Sequence, residues 1–119
     1  MSGKKREQFQ IPQMPIDPAQ KIMTLLQFAR KAGKLAHGYE ACSRQIRNDS
    51  IRLLILATDC SANTKDKMKN LIKRTGDRIP VKEFKTQQEL SAALGLPLIA
   101  VLGVLDSNFA GKILSYFTQ

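Results

Sequence analysis

The chain has 119 residues, 43% of them hydrophobic and 24% charged, which fits one globular domain with its own core and excludes a disordered chain. No stretch approaches the roughly 20 apolar residues of a membrane span, and the basic start Met1–Gln10 leads into no apolar stretch of a secretory signal. The net charge of +9 is uneven: residues 1–85 hold 18 of the 19 basic and 8 of the 10 acidic residues, so a polyanion met by one side is expected, in a cytoplasmic protein.

Residues 1–16 carry Lys4, Lys5 and Arg6 and are broken by Pro12 and Pro15, so a flexible basic tail is expected there, with the folded domain spanning 17–119. Asp17-Pro18-Ala19-Gln20 reads as a helix start with a capping box, followed by an apolar stripe of Ile22, Leu25, Leu26 and Ala29. Gly33 ends that helix, and Lys34 to His37 is long enough for a short strand. Gly38 turns the chain into a second helix running to about Asn48. The spacing puts Tyr39, Cys42 and Ile46 on its inner face and Glu40, Arg44 and Arg47 on another.

Ile51 to Ala57 is short and apolar throughout, as a strand covered on both faces would be. Thr58-Asp59-Cys60-Ser61 leads into a helix from about Ala62 to Arg74, with Met68, Leu71 and Ile72 inward and Asp59 expected as its cap. A third strand is expected over Ile79 to Phe84, with Pro80 at its start or on a sheet edge. Thr86-Gln87-Gln88-Glu89 is a capping box opening a short helix that Gly95 closes. Leu96-Pro97 turns into an apolar strand over Leu98 to Val104. Asp106-Ser107 caps a last helix with Phe109, Ile113 and Phe117 on one stripe. Helices and strands thus alternate, which calls for an α/β sheet covered on both faces, with ligands at the strand ends where loops gather.

No catalytic constellation emerges. His37 is the sole histidine, and Cys42 and Cys60 have neither zinc nor redox spacing, so both are expected as buried thiols and no metal or cofactor is expected. The two glycines of Gly33 to Gly38 match neither a P-loop nor a dinucleotide fingerprint. Asp59 follows a buried strand, as in a receiver-type signalling domain, but the acidic pair such a domain needs after its first strand is absent from Lys34 to Gly38. An all-parallel sheet would speak for that alternative.

Four stretches, in order, carry a resemblance: Arg30-Lys31-Ala32-Gly33-Lys34-Leu35-Ala36-His37-Gly38-Tyr39-Glu40, Leu53-Leu54-Ile55-Leu56-Ala57-Thr58-Asp59-Cys60-Ser61, Ile79-Pro80-Val81 and Leu90-Ser91-Ala92-Ala93-Leu94-Gly95. They resemble the kink-turn-binding ribosomal-protein superfamily, of the large-subunit seven-Ae and thirty-e type, in particular its bacterial YlxQ-like branch. The resemblance covers about residues 20–117. It implies a three-layer α-β-α sandwich with a four-stranded mixed sheet and a non-enzymatic protein that binds kink-turns, where a bulge bends an RNA duplex beside sheared G·A pairs. The family signature Gly-x-Asn-Glu, with a basic residue six positions after the glycine, falls on Gly38 and Arg44. Glu40 stands at the Asn position and Ala41 at the Glu position. The family's Ala-Glu-Asp falls on Ala57-Thr58-Asp59, and its apolar loop over bulged nucleotides on Leu96-Pro97-Leu98.

The resemblance thus implies RNA contacts at Lys34, His37, Gly38, Glu40, Arg44, Arg47, Asp59, Leu96 and Leu98. Lys34, Arg44 and Arg47 would meet phosphates, Glu40 a base edge, and Leu96 and Leu98 an unstacked nucleotide. Structured RNA, with ribosomal RNA and the ribosome as candidates, is the implied partner of a monomer. A stand-alone relative of the RNA-binding domain of an RNA methyltransferase is the alternative within the same fold.

Overall fold

The computed structural model describes residues 17–118, so the expected tail over 1–16 lies outside the described residues. The elements alternate as α1 (Pro18–Lys31), β1 (Leu35–His37), α2 (Tyr39–Arg47), β2 (Leu53–Leu56), α3 (Ala62–Arg74), β3 (Val81–Glu83), α4 (Gln87–Leu94), β4 (Val101–Val104) and α5 (Ser107–Phe117). Strands β2 and β4 are shorter than their apolar runs. Ile51, Ala57 and Ile99 are buried in the core without belonging to a ladder, because burial extends beyond the residues that pair.

The sheet order is β1-β4-β2-β3. β4 runs antiparallel to both β1 and β2, whereas β2 and β3 are parallel, joined by the α3 crossover. The sheet is therefore mixed, which removes the receiver-type alternative. The central strands β2 and β4 are buried at every residue, and the short edge strands β1 and β3 are partly exposed, as sheet edges in soluble domains usually are. Pro80 immediately precedes edge strand β3, and its carbonyl accepts from the Leu54 N–H at 2.9 Å, so its missing N–H costs no ladder bond.

Helices cover both faces in a three-layer α-β-α sandwich. α1 packs against α4 and α5, while α2 packs against α3, β1 and β4. Local chemistry sets most helix ends. Thr86 and Glu89 form the expected reciprocal capping box on α4, and Asp106 caps α5 through the Phe109 N–H at 2.9 Å. Asp17 caps α1 through the Ala19 N–H at 3.0 Å, without the return bond expected from Gln20.

Asp59 does not cap α3. Ser61 does, accepting from the Thr64 N–H at 3.1 Å. Asp59 lies two residues too early for that cap and is used elsewhere.

Gly103 in β4 makes room for Ile51, in the loop after α2. A Cβ there would collide with the Ile51 side chain, while meeting the Cys42 sulfur at an ordinary contact distance of 3.5 Å. Ile51 and Cys42 are fully packed, so neither has room to retreat.

Candidate nucleic-acid interface

The loops after β1, β2 and β3 and the loop before β4 all gather at one end of the sheet. Backbone bonds tie them together. The Gly38 N–H donates to the Val101 carbonyl at 2.9 Å, Ala57 N–H to Ala100 at 2.9 Å, and Thr58 N–H to Lys85 at 2.7 Å. Asp59 supplies a further tie: its Oδ1 accepts from the Gln87 N–H at 2.9 Å, and its carbonyl accepts from Gln87 Nε2 at 3.3 Å. Its carboxylate thus sits at the N-terminus of α4, where negative charge is favoured, and fastens the β2–α3 loop to the β3–α4 loop.

Gly38 is the hinge of this surface. It precedes α2 at φ 92° and ψ 160°, a region essentially reserved for glycine. Nothing lies within 4 Å of where its Cβ would be, so the requirement is conformational rather than one of room. Among the described residues, no side chain caps α2, which leaves the N–H groups of its first turn free to meet an acceptor from outside. Glu40 is exposed in that first turn.

The loop into β4 is held as firmly. Gly95 ends α4 in the left-handed conformation, the Leu96 N–H bonds the Ser91 carbonyl, and the buried Ser91 hydroxyl accepts from the Ile99 N–H at 3.1 Å. Leu96 is half-buried, while Leu98 stands out at 68% exposure, three residues before the Val101 carbonyl that holds Gly38. An apolar side chain held out on an anchored loop beside open backbone donors presents both a stacking surface and a hydrogen-bonding edge.

The fold brings His37, Gly38, Glu40, Asp59 and Leu98 to this one end; Leu96 follows Gly95, whose carbonyl lies 3.5 Å from Arg30 Nη2 in the last turn of α1. His37 is exposed in β1 opposite Leu102. Arg44 is exposed about 9 Å further along α2, at 1.5 Å of rise per residue. Lys34 is not brought here. Its carbonyl accepts from the Leu105 N–H at 2.8 Å, and β1 begins opposite Val104, so Lys34 lies at the far end of the sheet. Arg47 lies in the last turn of α2, beside α3.

Sequence reasoning misplaced Tyr39. It is 40% exposed instead of packed with Cys42 and Ile46, and its ring lies 5.8 Å from the Lys67 ammonium. Ser91 was missed as a loop anchor, since nothing local marks a helical serine as the partner of an N–H eight residues on.

The two thiols are buried. Burial pushes the Cys42 thiol up to about 12 from an ordinary 9.0. Cys60 is raised too, chiefly by burial, with Lys65 opposing and Asp59 and Glu83 adding to it. Both are held in the protonated, weakly nucleophilic form at neutral pH. Among the described residues, no group of three or more His, Cys, Asp or Glu side chains could hold a metal ion, and no helix is long and apolar enough to cross a membrane.

Residues 20–113 match the model of the ribosomal protein L7Ae/L30e/S12e/Gadd45 family. The chain belongs to this family. It is 37% identical over 93 residues to the RNA-binding protein YlxQ of Enterococcus faecium, covering 78% of this chain and 87% of that one. It is 31% identical over 91 residues to the RNA-binding protein YlxQ of Bacillus subtilis (strain 168), covering 76% and 89%. A solved structure of a protein with unknown function from Bacillus halodurans C is also similar. Its TM-score is 0.77 at 30% identity, covering 83% of this chain and 98% of that one.

Proposed function

We propose that this protein binds structured RNA of the kink-turn type through the Gly38 turn and the start of α2, in the cytoplasm and without catalysing a reaction. The observation that carries the reading is the pairing of an uncapped helix start after Gly38 with the protruding Leu98 on the loop bonded to it. The family and the RNA-binding relatives support it. A bent RNA offers what such a surface fits: phosphates for the free N–H groups, and an unstacked base for Leu98 to cover. Glu40 accepts hydrogen bonds from guanine amino groups, whereas Ala41 brings no polar atom, so recognition rests on Glu40, the backbone and shape. Arg44 follows on the exposed face of α2 and meets a phosphate. Asp59 acts by holding the loops, through its bond to Gln87. Ribosomal RNA is one candidate source of the bend.

The test is a titration of wild type, Glu40→Ala and Leu98→Ala against a kink-turn RNA and a plain duplex at low and high salt. Both variants should lose about 1–3 kcal/mol of binding to the kink-turn. Glu40→Ala should leave duplex binding unchanged or tighter, because a carboxylate near phosphates repels them. Equal losses on both RNAs would reduce the surface to a basic patch, and no loss on either would move the site elsewhere.

A further inference from the structure

Beyond the sheet end, α2 and α3 enclose a groove lined by Tyr39, Arg47, Lys67, Asn70, Leu71 and Arg74. It starts at the residue after Gly38 and follows α2 to its last turn, about 12 Å at 1.5 Å of rise per residue. Three of the six lining side chains are cationic and none is acidic. Three basic side chains outside the groove are paired. Arg52 and Arg78 both reach Asp49, at 3.9 and 3.5 Å, and Lys65 pairs with Glu83 at 3.2 Å. Among the described residues, Arg47, Lys67 and Arg74 enter no ion pair within 4.0 Å. The nearest acids by sequence, Glu40 and Asp66, adjoin Tyr39 and Lys67 along the chain but do not line the groove.

Like charges gathered without a counter-charge repel one another in the free protein, and a polyanion laid between them relieves that repulsion. Tyr39 adds a second kind of contact. It is a large aromatic left 40% exposed at the groove mouth, with the Lys67 ammonium 5.8 Å from its ring centre. An aromatic face beside a run of cations is the combination that holds unpaired nucleotides, bases stacking while phosphates meet the charges.

We infer that the α2–α3 groove is a second RNA contact, taking a single-stranded segment that leaves the structured element bound at Gly38. A base stacks on Tyr39 at the mouth, Arg47, Lys67 and Arg74 take successive phosphates, and Asn70 donates to the backbone or a base edge. The occupant is an unpaired strand, because the groove pairs cations with a stacking face. The inference rests on the proposed RNA-binding function and extends it: the preferred ligand is a bent element with an unpaired extension.

The experiment uses the full chain and three probes: a kink-turn RNA with blunt stems, the same RNA extended by a short unpaired uridine tail on each strand in turn, and oligouridine alone. Wild type should bind one of the two extended RNAs about fivefold or more tighter than the blunt one, the effect of one stacked base. The double variant Lys67→Ala, Arg74→Ala should lose that gain and bind the blunt RNA as wild type does. On the extended RNA its log–log salt slope should fall by about 1.4, or 0.7 for each single-strand phosphate lost. Tyr39→Ala should lose the gain while the slope stays, and Tyr39→Phe should restore it. If neither extension tightens binding, or the double variant keeps the gain, the groove inference is overturned and the Gly38 reading stands. Binding to oligouridine that depends on Lys67 and Arg74, without preference for the kink-turn, would support the groove and overturn the Gly38 reading. No binding to any probe overturns both.

Discussion

Along the nine residues of α2, Cys42, Ser43 and Ile46 are buried to within 3% of full burial, while Glu40, Arg44 and Arg47 stand in solvent. The inner face is built by fit: the missing side chain of Gly103 in β4 leaves room for Ile51 to close over the sheet beside Cys42. The outer face carries charges that make no ion pair among the described residues. A helix divided in this way teaches where to look for each kind of effect. Substitutions inward should move stability and leave RNA affinity alone; substitutions outward should do the reverse.

The largest effect on the inner face should come from pH. The unfolded chain loses the Cys42 proton near the ordinary value of 9.0, whereas the folded protein holds it to about 12. The folded value is raised, so this contribution to stability is present in full below pH 9 and is lost as the pH climbs from 9 to 12. The loss runs at up to about 1.4 kcal/mol per pH unit, roughly 4 kcal/mol across the window. Chemical denaturation of wild type and Cys42→Ala across that range should show the steeper fall only in wild type. Equal slopes would mean that the thiol is not sealed from water.

Gly103→Val comes next. An added isopropyl group, Cβ included, must enter the space of the Ile51 side chain, at a cost of about 1–3 kcal/mol read as a lower denaturation midpoint. RNA affinity measured well below the melting temperature should not change. A loss of affinity in the folded variant would join the two faces that the comparison separates.

On the outer face, Arg44→Ala should leave stability within about 0.5 kcal/mol. It should weaken every RNA and flatten the salt dependence by about 0.9 of slope, one duplex phosphate. A variant with an unchanged slope would place Arg44 outside the interface.

The smallest effect belongs to Ser43, whose hydroxyl is buried with no hydrogen-bond partner among the described residues. Removing it in Ser43→Ala relieves an unsatisfied group and leaves only a small gap. The variant should be equal to wild type or more stable by up to about 1 kcal/mol, with RNA binding unchanged. A clear destabilisation would show that the hydroxyl is satisfied after all.

Much of this is legible in the sequence alone. The alternation of helices and strands follows from apolar periodicity, and the ends of α4 and α5 from Thr86, Glu89 and Asp106, because each of these signals acts within a few residues of itself. Gly38 could be read as a turn because only glycine suits that backbone. The mixed sheet came from family resemblance, since no periodicity encodes the direction in which two strands pair.

Other features were decided only by tertiary structure. Strand β1 alone separates Lys34 from Gly38, but the strand order and directions decide that the loops after β2 and β3 and before β4 gather at the Gly38 end. The same arrangement brings Asp59 to the N–H of Gln87, 28 residues on, where a local reading assigned it to the next helix. Tyr39 has the spacing of a core residue, yet it lies at the mouth of a groove that exists only because α3 packs beside α2. A sequence specifies which residues share a face of their own element. Which neighbour covers that face, and which part is left open to a ligand, is fixed when distant segments meet.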